Sequence, residues 1–179
     1  VGGQGRPHAA GRQAHHGADP RDHAAHQGLV EIYTEQGRWD DLHAELSRVL
    51  DLLPPDRRVG VQIRMAEVEL ARGNRAGALV QYAPLVVADA LDDARLAAVE
   101  ELATADGATS LLRDVLERRV ARAAEPEARA ILLERLGTVL AERAGDPEAA
   151  AATWLEAARL RETEAPDASR ARALHEAVL

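Results

Sequence analysis

Four glycines recur along this chain at nearly constant spacing, and each stands between two segments with a helical pattern of apolar residues. They are Gly37, Gly73, Gly107 and Gly145, at spacings of 36, 34 and 38 residues. A fixed period in this range is typical of arrays of stacked helical pairs, in which each unit buries its apolar face against its neighbours. The spacing therefore predicts an all-α fold built from repeated helical hairpins.

Residues 131–160 form the clearest of these hairpins. Asp146 is a good N-cap for the second helix, and Pro147 suits its first turn, where the backbone N–H that proline lacks would have had no partner. Apolar residues of the first helix recur at steps of three and four, which places them on one face; they are Leu132, Leu133, Leu136, Val139 and Leu140. Two such helices leave an apolar stripe uncovered, so the unit needs neighbours.

Turn and cap signals divide the rest of the chain. We expect a disordered or loosely ordered Gly/His/Arg-rich tail over residues 1–19, followed by a repeat domain over residues 20–179. Pro84 predicts a kink or break near Gln81–Pro84, because proline costs about 3 kcal/mol inside a helix. The motif Pro54-Pro55-Asp56 predicts the end of one helix and the cap of the next. Nine helices result, in units of about 20–54, 55–90, 91–124 and 125–163 and a partial unit at 166–179.

Composition supports this fold class. Aromatic residues make up 2% of the 179 residues and phenylalanine is absent, so alanine and leucine supply most of the apolar mass. Small alanine contacts suit closely packed helices, whereas a β-sandwich favours β-branched and aromatic residues. The chain has no cysteine, which excludes disulfides, thiolate nucleophiles and cysteine-based zinc sites.

The net charge of the chain limits its possible partners, and the lengths of its apolar runs indicate its compartment. The net charge of −8 argues against nucleic-acid binding, because affinity for phosphates depends on a basic surface. All 22 basic residues are arginine, which we interpret as the coding bias of a GC-rich, bacterial genome; without lysine, a P-loop is impossible. No apolar run reaches the roughly 18 residues of a membrane span, and no secretory signal is visible. We expect a soluble cytoplasmic protein.

Small, aromatic, leucine and proline residues occupy recurring positions of the units. They are Tyr33, Gly37 and Pro54 in the first unit, Ala66, Gly73, Ala78 and Tyr82 in the second, and Leu133, Leu136, Gly137, Leu140, Ala150, Trp154 and Ala157 in the fourth. Through these residues about four-fifths of the chain resembles tetratricopeptide repeats, which are 34-residue helix–turn–helix units. The third unit keeps Gly107 but carries Leu112 and Arg119 where small residues belong, so a HEAT-like or generic helical-pair array stays open. The resemblance implies a right-handed α-solenoid of about four antiparallel helix pairs plus a final single helix.

In that family, the first helix of each unit lines a concave groove that holds a partner peptide or helix. The resemblance implies that ten positions here face such a groove: Gln27, Glu31, Glu35, Glu67, Leu70, Glu101, Thr104, Glu134, Thr138 and Glu142. A groove this acidic should prefer a basic or neutral segment. The alternative is that glutamate covers any helix surface because it is a good solvated helix former. Trp39 and Trp154 stand at helix-pair packing positions, which favours core filling over peptide anchoring.

Histidines concentrate near the start of the chain. His23 and His26 lie one helical turn apart with Asp19 and Asp22 nearby, which makes them weak candidates for a divalent metal. The alternative is a polar tail in which His26 occupies an inward-facing helix position. No serine stands in a nucleophile-elbow context, and no carboxylate pair is marked as buried. We therefore predict no catalytic residue, no cofactor and no enzymatic activity.

These observations favour a non-catalytic protein–protein interaction scaffold that binds a protein or peptide partner, with no role for nucleic acid or membrane. One alternative is a regulatory or sensory repeat domain cut from a larger enzyme or transcription regulator, since the chain starts without methionine and ends in an unpaired helix. The other is a metal-responsive protein that uses the N-terminal histidines.

Overall fold

A computed structural model describes residues 20–164 and the side chains of residues 25–162. Within that range the chain contains eight α-helices and no strand, which confirms the predicted all-α class. The helices are α1 (Pro20–Glu35), α2 (Trp39–Leu52), α3 (Val59–Ala71), α4 (Arg75–Val87), α5 (Asp93–Asp106), α6 (Thr109–Arg122), α7 (Pro126–Val139) and α8 (Pro147–Glu164). A 3-10 turn at Pro55–Arg57 precedes α3, and a π-helical turn at Leu140–Ala144 extends α7. The predicted tail over residues 1–19 and the predicted ninth helix over 166–179 lie outside the described residues.

The turns follow the sequence signals closely. All four spaced glycines have positive φ angles, 64°, 76°, 69° and 69° in chain order, a backbone conformation that costs glycine little and other residues more. Asp146 caps α8 as predicted, since its Oδ1 accepts a 3.0 Å hydrogen bond from the Ala149 N–H. Asp56 does not cap α3. It lies in the 3-10 turn, and the N-cap residue of α3 is Arg58, which makes no side-chain capping bond.

Packing runs along the chain from each helix to the next, and α4 also contacts α6. The alanines expected at close helix contacts are buried, with exposed fractions of 0 to 1%: Ala66, Ala78, Ala150 and Ala157. A larger side chain at these positions would hold two helices apart. Their burial agrees with the close packing that the alanine-rich composition predicts.

Two hydrophobic clusters form the core. The larger extends from α3 to α8. The smaller lies between α2 and α3, with buried Leu42, Leu46, Met65 and Val68, and Val30, Tyr33 and Trp39 pack against it. Because α3 contributes to both clusters, it joins the first helices to the rest of the array. Trp39 thus contributes to core packing as expected, whereas Trp154 remains 42% exposed.

Pro84 does not break α4. The helix continues to Val87 with Pro84 inside it, and the predicted break near Gln81–Pro84 is wrong. Pro84 lies one turn before the helix end on the exposed side, so the carbonyl that loses its N–H partner can be hydrated by water. The burial of Tyr82, Leu85 and Val86 on the opposite side favours a continuous helix.

Two arginines of α6 hold the connection between α4 and α5. Arg122 donates hydrogen bonds to the Leu91 carbonyl at 2.7 Å and to Asp89 Oδ1 at 2.6 Å, and Arg118 donates to the Val87 carbonyl at 2.8 Å. Asp89 has a φ of 55°, which is uncommon for a residue with a side chain. These bonds, to oxygens at the end of α4 and in the segment after it, keep the connection in a defined path from α4 to α5.

Candidate functional site

A cleft with both charged and apolar lining residues lies between α5, α6 and α7, and we call it the α5–α7 cleft. Its volume is about 220 Å³. The lining residues come from three helices and the π-helical turn: Glu100, Thr104, Leu112, Leu116, Arg135, Thr138, Val139, Glu142 and Arg143. Three of these, Thr104, Thr138 and Glu142, are residues that the resemblance assigned to the groove. The structure therefore brings part of the predicted groove together on one surface.

A buried carboxylate is the central charge of this cleft. Glu100 of α5 is only 1% exposed. Its Oε2 accepts a hydrogen bond from Arg119 of α6, and its Oε1 is in ion-pair contact with Arg135 of α7. Since a buried carboxylate is costly without cationic partners, this triad links α5 to α6 and α7 across the cleft.

The two threonines of the cleft present acceptors to it. Thr104 Oγ1 donates a 2.7 Å hydrogen bond to the Glu100 carbonyl, and Thr138 Oγ1 donates a 3.0 Å hydrogen bond to the Glu134 carbonyl. A hydroxyl has one proton to donate. Because each hydroxyl proton is donated to a helix carbonyl, each threonine can only accept a hydrogen bond from a group that enters the cleft.

A second cleft lies between α1, α2 and α3, with a volume of about 320 Å³. Its walls are mostly apolar, from Val30, Leu46, Val49, Leu53 and Val61, and its polar residues are His26, Gln27 and Glu31. Gln27 and Glu31 are predicted groove residues. This cleft has the same placement in its unit as the α5–α7 cleft, since both lie between one helical pair and the first helix of the next.

A more open recess lies on the other side of α7, against α8. It is lined by Glu134, Thr138, Trp154, Ala158, Arg161 and Glu162. The Trp154 Nε1 donates a 3.2 Å hydrogen bond to the Glu134 carbonyl. Thr138 borders both this recess and the α5–α7 cleft, so the two surfaces meet on α7.

The remaining predicted groove residues are spread over the array. Glu35, Glu67, Leu70 and Glu101 line none of these three surfaces. The acidity expected of the groove is also partly cancelled, because Glu134 pairs with Arg161 at 2.9 Å and Glu67 pairs with Arg64 at 3.1 Å. A single uniformly acidic groove is therefore a poorer description than separate clefts with mixed charge.

The side chain of His26, one of the two candidate metal ligands, lies among residues 25–162, whose side chains the structure describes. His26 Nδ1 donates to Glu45 Oε1, and among these residues no group of three His, Cys, Asp or Glu side chains could hold a metal. The side chain of His23 lies outside them. His26 thus occupies an inward-facing position between α1 and α2, as the alternative interpretation expected.

Three buried glutamates were missed by the sequence analysis. They are Glu45, Glu69 and Glu100, each 4% exposed or less. Glu69 contacts His43 Nε2 at 3.0 Å and accepts hydrogen bonds from Arg72 and Asn74. Helical spacing could have predicted their burial. Each glutamate follows a buried apolar residue of its own helix by three or four positions, which places it on the buried face. Those residues are Leu42, Met65 and Leu96.

The environment of Glu45 favours its charged form. Burial alone would raise the pKa of the Glu45 carboxyl, but hydrogen bonds from His26 and Arg48, together with their positive charges, leave the pKa below its ordinary value. The bond from Arg48 is 2.9 Å long. Glu45 is therefore a structural carboxylate, and its lowered pKa makes it a poor proton acceptor at neutral pH.

The fold and its clefts define an all-helical array with charged and apolar recesses between successive helices. No protein-family model matches the chain, and no curated protein matches it. None of the described helices combines the length and apolar character needed to cross a membrane.

Proposed function

We propose that this protein is a non-catalytic interaction scaffold whose clefts receive side chains of a partner peptide or helix. The observation that carries the proposal is the α5–α7 cleft, where Thr104, Thr138 and Glu142 line one recess. A volume of about 220 Å³ is below the roughly 300–1,000 Å³ of small-molecule sites, and it suits a single side chain better than a metabolite.

The finer architecture belongs to the same proposal. Contacts from each helix to the next, the spaced left-handed glycines and the buried alanines support a right-handed α-solenoid of tetratricopeptide-like pairs. In such an array the first helices line one surface, on which an extended or helical segment can contact several units. A cytoplasmic setting remains a prediction.

Selection from a random peptide display library tests the proposal. Peptides enriched on the purified protein should bind the wild type and lose affinity for Thr138→Tyr by at least about tenfold, because the larger side chain fills the cleft. Val80→Tyr is the matched control, since Val80 is 69% exposed on α4 and lines none of the clefts. Failure to enrich any peptide, or equal loss of binding in both variants, would overturn the proposal.

A further inference from the structure

The charge of the α5–α7 cleft changes with depth. Its least exposed charged group is the Glu100 carboxylate at 1%, whereas the side chain of Arg135 is 53% exposed. Arg143 and Glu142 are also exposed at this cleft, where water and salt screen their charges. A group that reaches the deep end therefore meets a carboxylate that solvent screens much less and that is paired with Arg119 and Arg135.

One oxygen of the deep carboxylate is paired with a cation but makes no hydrogen bond. Arg119 donates to Oε2, but Oε1 accepts no hydrogen bond from any described residue, although Arg135 is in ion-pair contact with it. A carboxylate oxygen can accept two hydrogen bonds, and leaving a buried acceptor unsatisfied is unfavourable. A donor that replaced Arg135 at Oε1 and made a hydrogen bond of good geometry would therefore bind there favourably.

The other groups of the cleft fit a cationic side chain. Thr104 and Thr138 offer only acceptor lone pairs, since both hydroxyl protons are donated to helix carbonyls. Leu112, Leu116 and Val139 supply apolar wall for an aliphatic stem. An arginine or lysine side chain combines such a stem with a terminal donor group and a positive charge.

We propose that the α5–α7 cleft recognises an arginine or lysine side chain of a partner segment, and that Arg135 holds this position in the free protein. The proposal rests on the proposed scaffold function and gives its partner a chemical class. Binding exchanges one cation for another at Glu100, so the buried carboxylate is never left without a partner. The half-exposed Arg135 side chain is the one that moves out, because Arg119 is held by its hydrogen bond to Oε2.

Removal of Arg135 should open the site to a small probe. In Arg135→Ala, we expect N-acetyl-arginine amide to bind at least about tenfold more tightly than it binds the wild type, since no resident guanidinium has to be displaced. The neutral isostere N-acetyl-citrulline amide should bind about tenfold or more weakly than the arginine compound. Titrations followed by the NMR methyl signals of Thr104 and Thr138 measure both affinities at the site itself.

Two matched variants control this result. Arg113→Ala removes an arginine of α6 that pairs with Asp114 at 3.1 Å and lies outside the cleft, and it should give no gain in affinity. Glu100→Gln combined with Arg135→Ala should abolish the gain. Equal binding of arginine and citrulline compounds, absence of any gain, or tighter binding of N-acetyl-glutamate amide would overturn the proposal.

If the Arg135 variants do not fold, recovery of their helical structure tests the same proposal. If Arg135→Ala and the stem-preserving Arg135→Met both unfold, the arginine compound should restore their helical circular dichroism and the citrulline compound should not. No recovery would then overturn the proposal.

The two proposals can fail separately. Probe binding without any enriched display peptide would reject the scaffold function alone. Enriched peptides whose affinity is unchanged when their arginines are replaced by citrulline, and unchanged by Glu100→Gln, would reject the cationic site alone.

Discussion

At the scale of single residues, the contact between Trp154 of α8 and Gly137 of α7 is unusually close. A Cβ atom built on Gly137 would lie 2.9 Å from Trp154 Cε2 and would overlap the Nε1 side of the indole. The glycine thus makes room for the ring, which donates its N–H to the Glu134 carbonyl at 3.2 Å. The half-exposed indole is held by this contact, and the α7–α8 recess takes its shape from it.

Gly137→Ala should displace the Trp154 ring. Overpacking typically costs about 1–3 kcal/mol, and the better helix propensity of alanine returns about 1 kcal/mol, so we expect a net loss of up to about 2 kcal/mol in the free energy of unfolding. Urea denaturation measures this loss. Trp154 emission, recorded in a Trp39→Phe background, should shift to longer wavelength as the ring enters water.

Gly60→Ala is the control for that substitution. A Cβ at Gly60, in the first turn of α3, meets nothing within 4 Å. Gly60→Ala should therefore leave both the free energy of unfolding and the wavelength of Trp154 emission without the changes expected for Gly137→Ala. An unchanged Trp154 emission in Gly137→Ala would show that the indole does not depend on the glycine.

The buried carboxylate of Glu45 should make stability depend on acid pH. Because the folded protein lowers the pKa of Glu45, the carboxylate form stabilises the fold. That contribution is present above the ordinary glutamate pKa of about 4.3 and is lost as the pH falls through the lowered folded value. Glu45→Gln should therefore destabilise the protein at pH 7 by about 1–3 kcal/mol, and its difference from the wild type should shrink below pH 4.

Denaturant titrations at pH 7 and pH 3.5 check this dependence. Glu35→Gln is the control, since Glu35 is exposed and has no hydrogen bond or ion pair to another described side chain. A destabilisation by Glu45→Gln that stays constant between the two pH values would contradict the assigned role.

At the scale of helices, the ends were predictable because their signals are local. Gly107 with a φ of 69° and Asp146 as an N-cap are each readable from one or two residues. The continuity of α4 through Pro84 was not predictable in this way, since it depends on packing along the opposite face. The same holds for the burial of Glu100, whose partners come from α6 and α7.

The π-helical turn at Leu140–Ala144 was also missed. A π turn leaves no sequence pattern of its own, because its hydrogen bonds are set one residue wider than those of an α-helix. It adds one residue to the longest glycine spacing, the 38 residues from Gly107 to Gly145. Its consequence for the candidate site is direct, because Glu142 and Arg143 of this turn border the α5–α7 cleft.

The candidate groove was predictable only in part. The family resemblance named Thr104, Thr138 and Glu142, which the structure brings to one cleft. The resemblance could not identify Arg135 as a residue of the cleft. Arginines at exposed helix positions are common in this chain, and only the contact with Glu100 distinguishes this one. Side-chain pairing between distant segments decides the chemistry of the cleft, and periodicity does not encode it.

At the scale of the whole molecule, the two core clusters predict graded stability. In a linear array each unit contacts only its neighbours, so a local loss of packing is felt most in adjacent helices. The smaller cluster contains Leu42, which is fully buried, and the larger contains Leu116 at 1% exposure. Each Leu→Ala substitution should cost about 2–5 kcal/mol locally.

Hydrogen exchange followed by mass spectrometry shows which helices lose protection when each of the two core clusters is weakened. Leu42→Ala should reduce protection mainly in α1 and α2, whereas Leu116→Ala should reduce it in α5, α6 and α7. α3 should respond to the first substitution more than α8 does, because Met65 and Val68 pack in the same cluster as Leu42. Uniform loss of protection along the chain in both variants would instead show one cooperative unit, in which the clefts open and close together rather than one at a time.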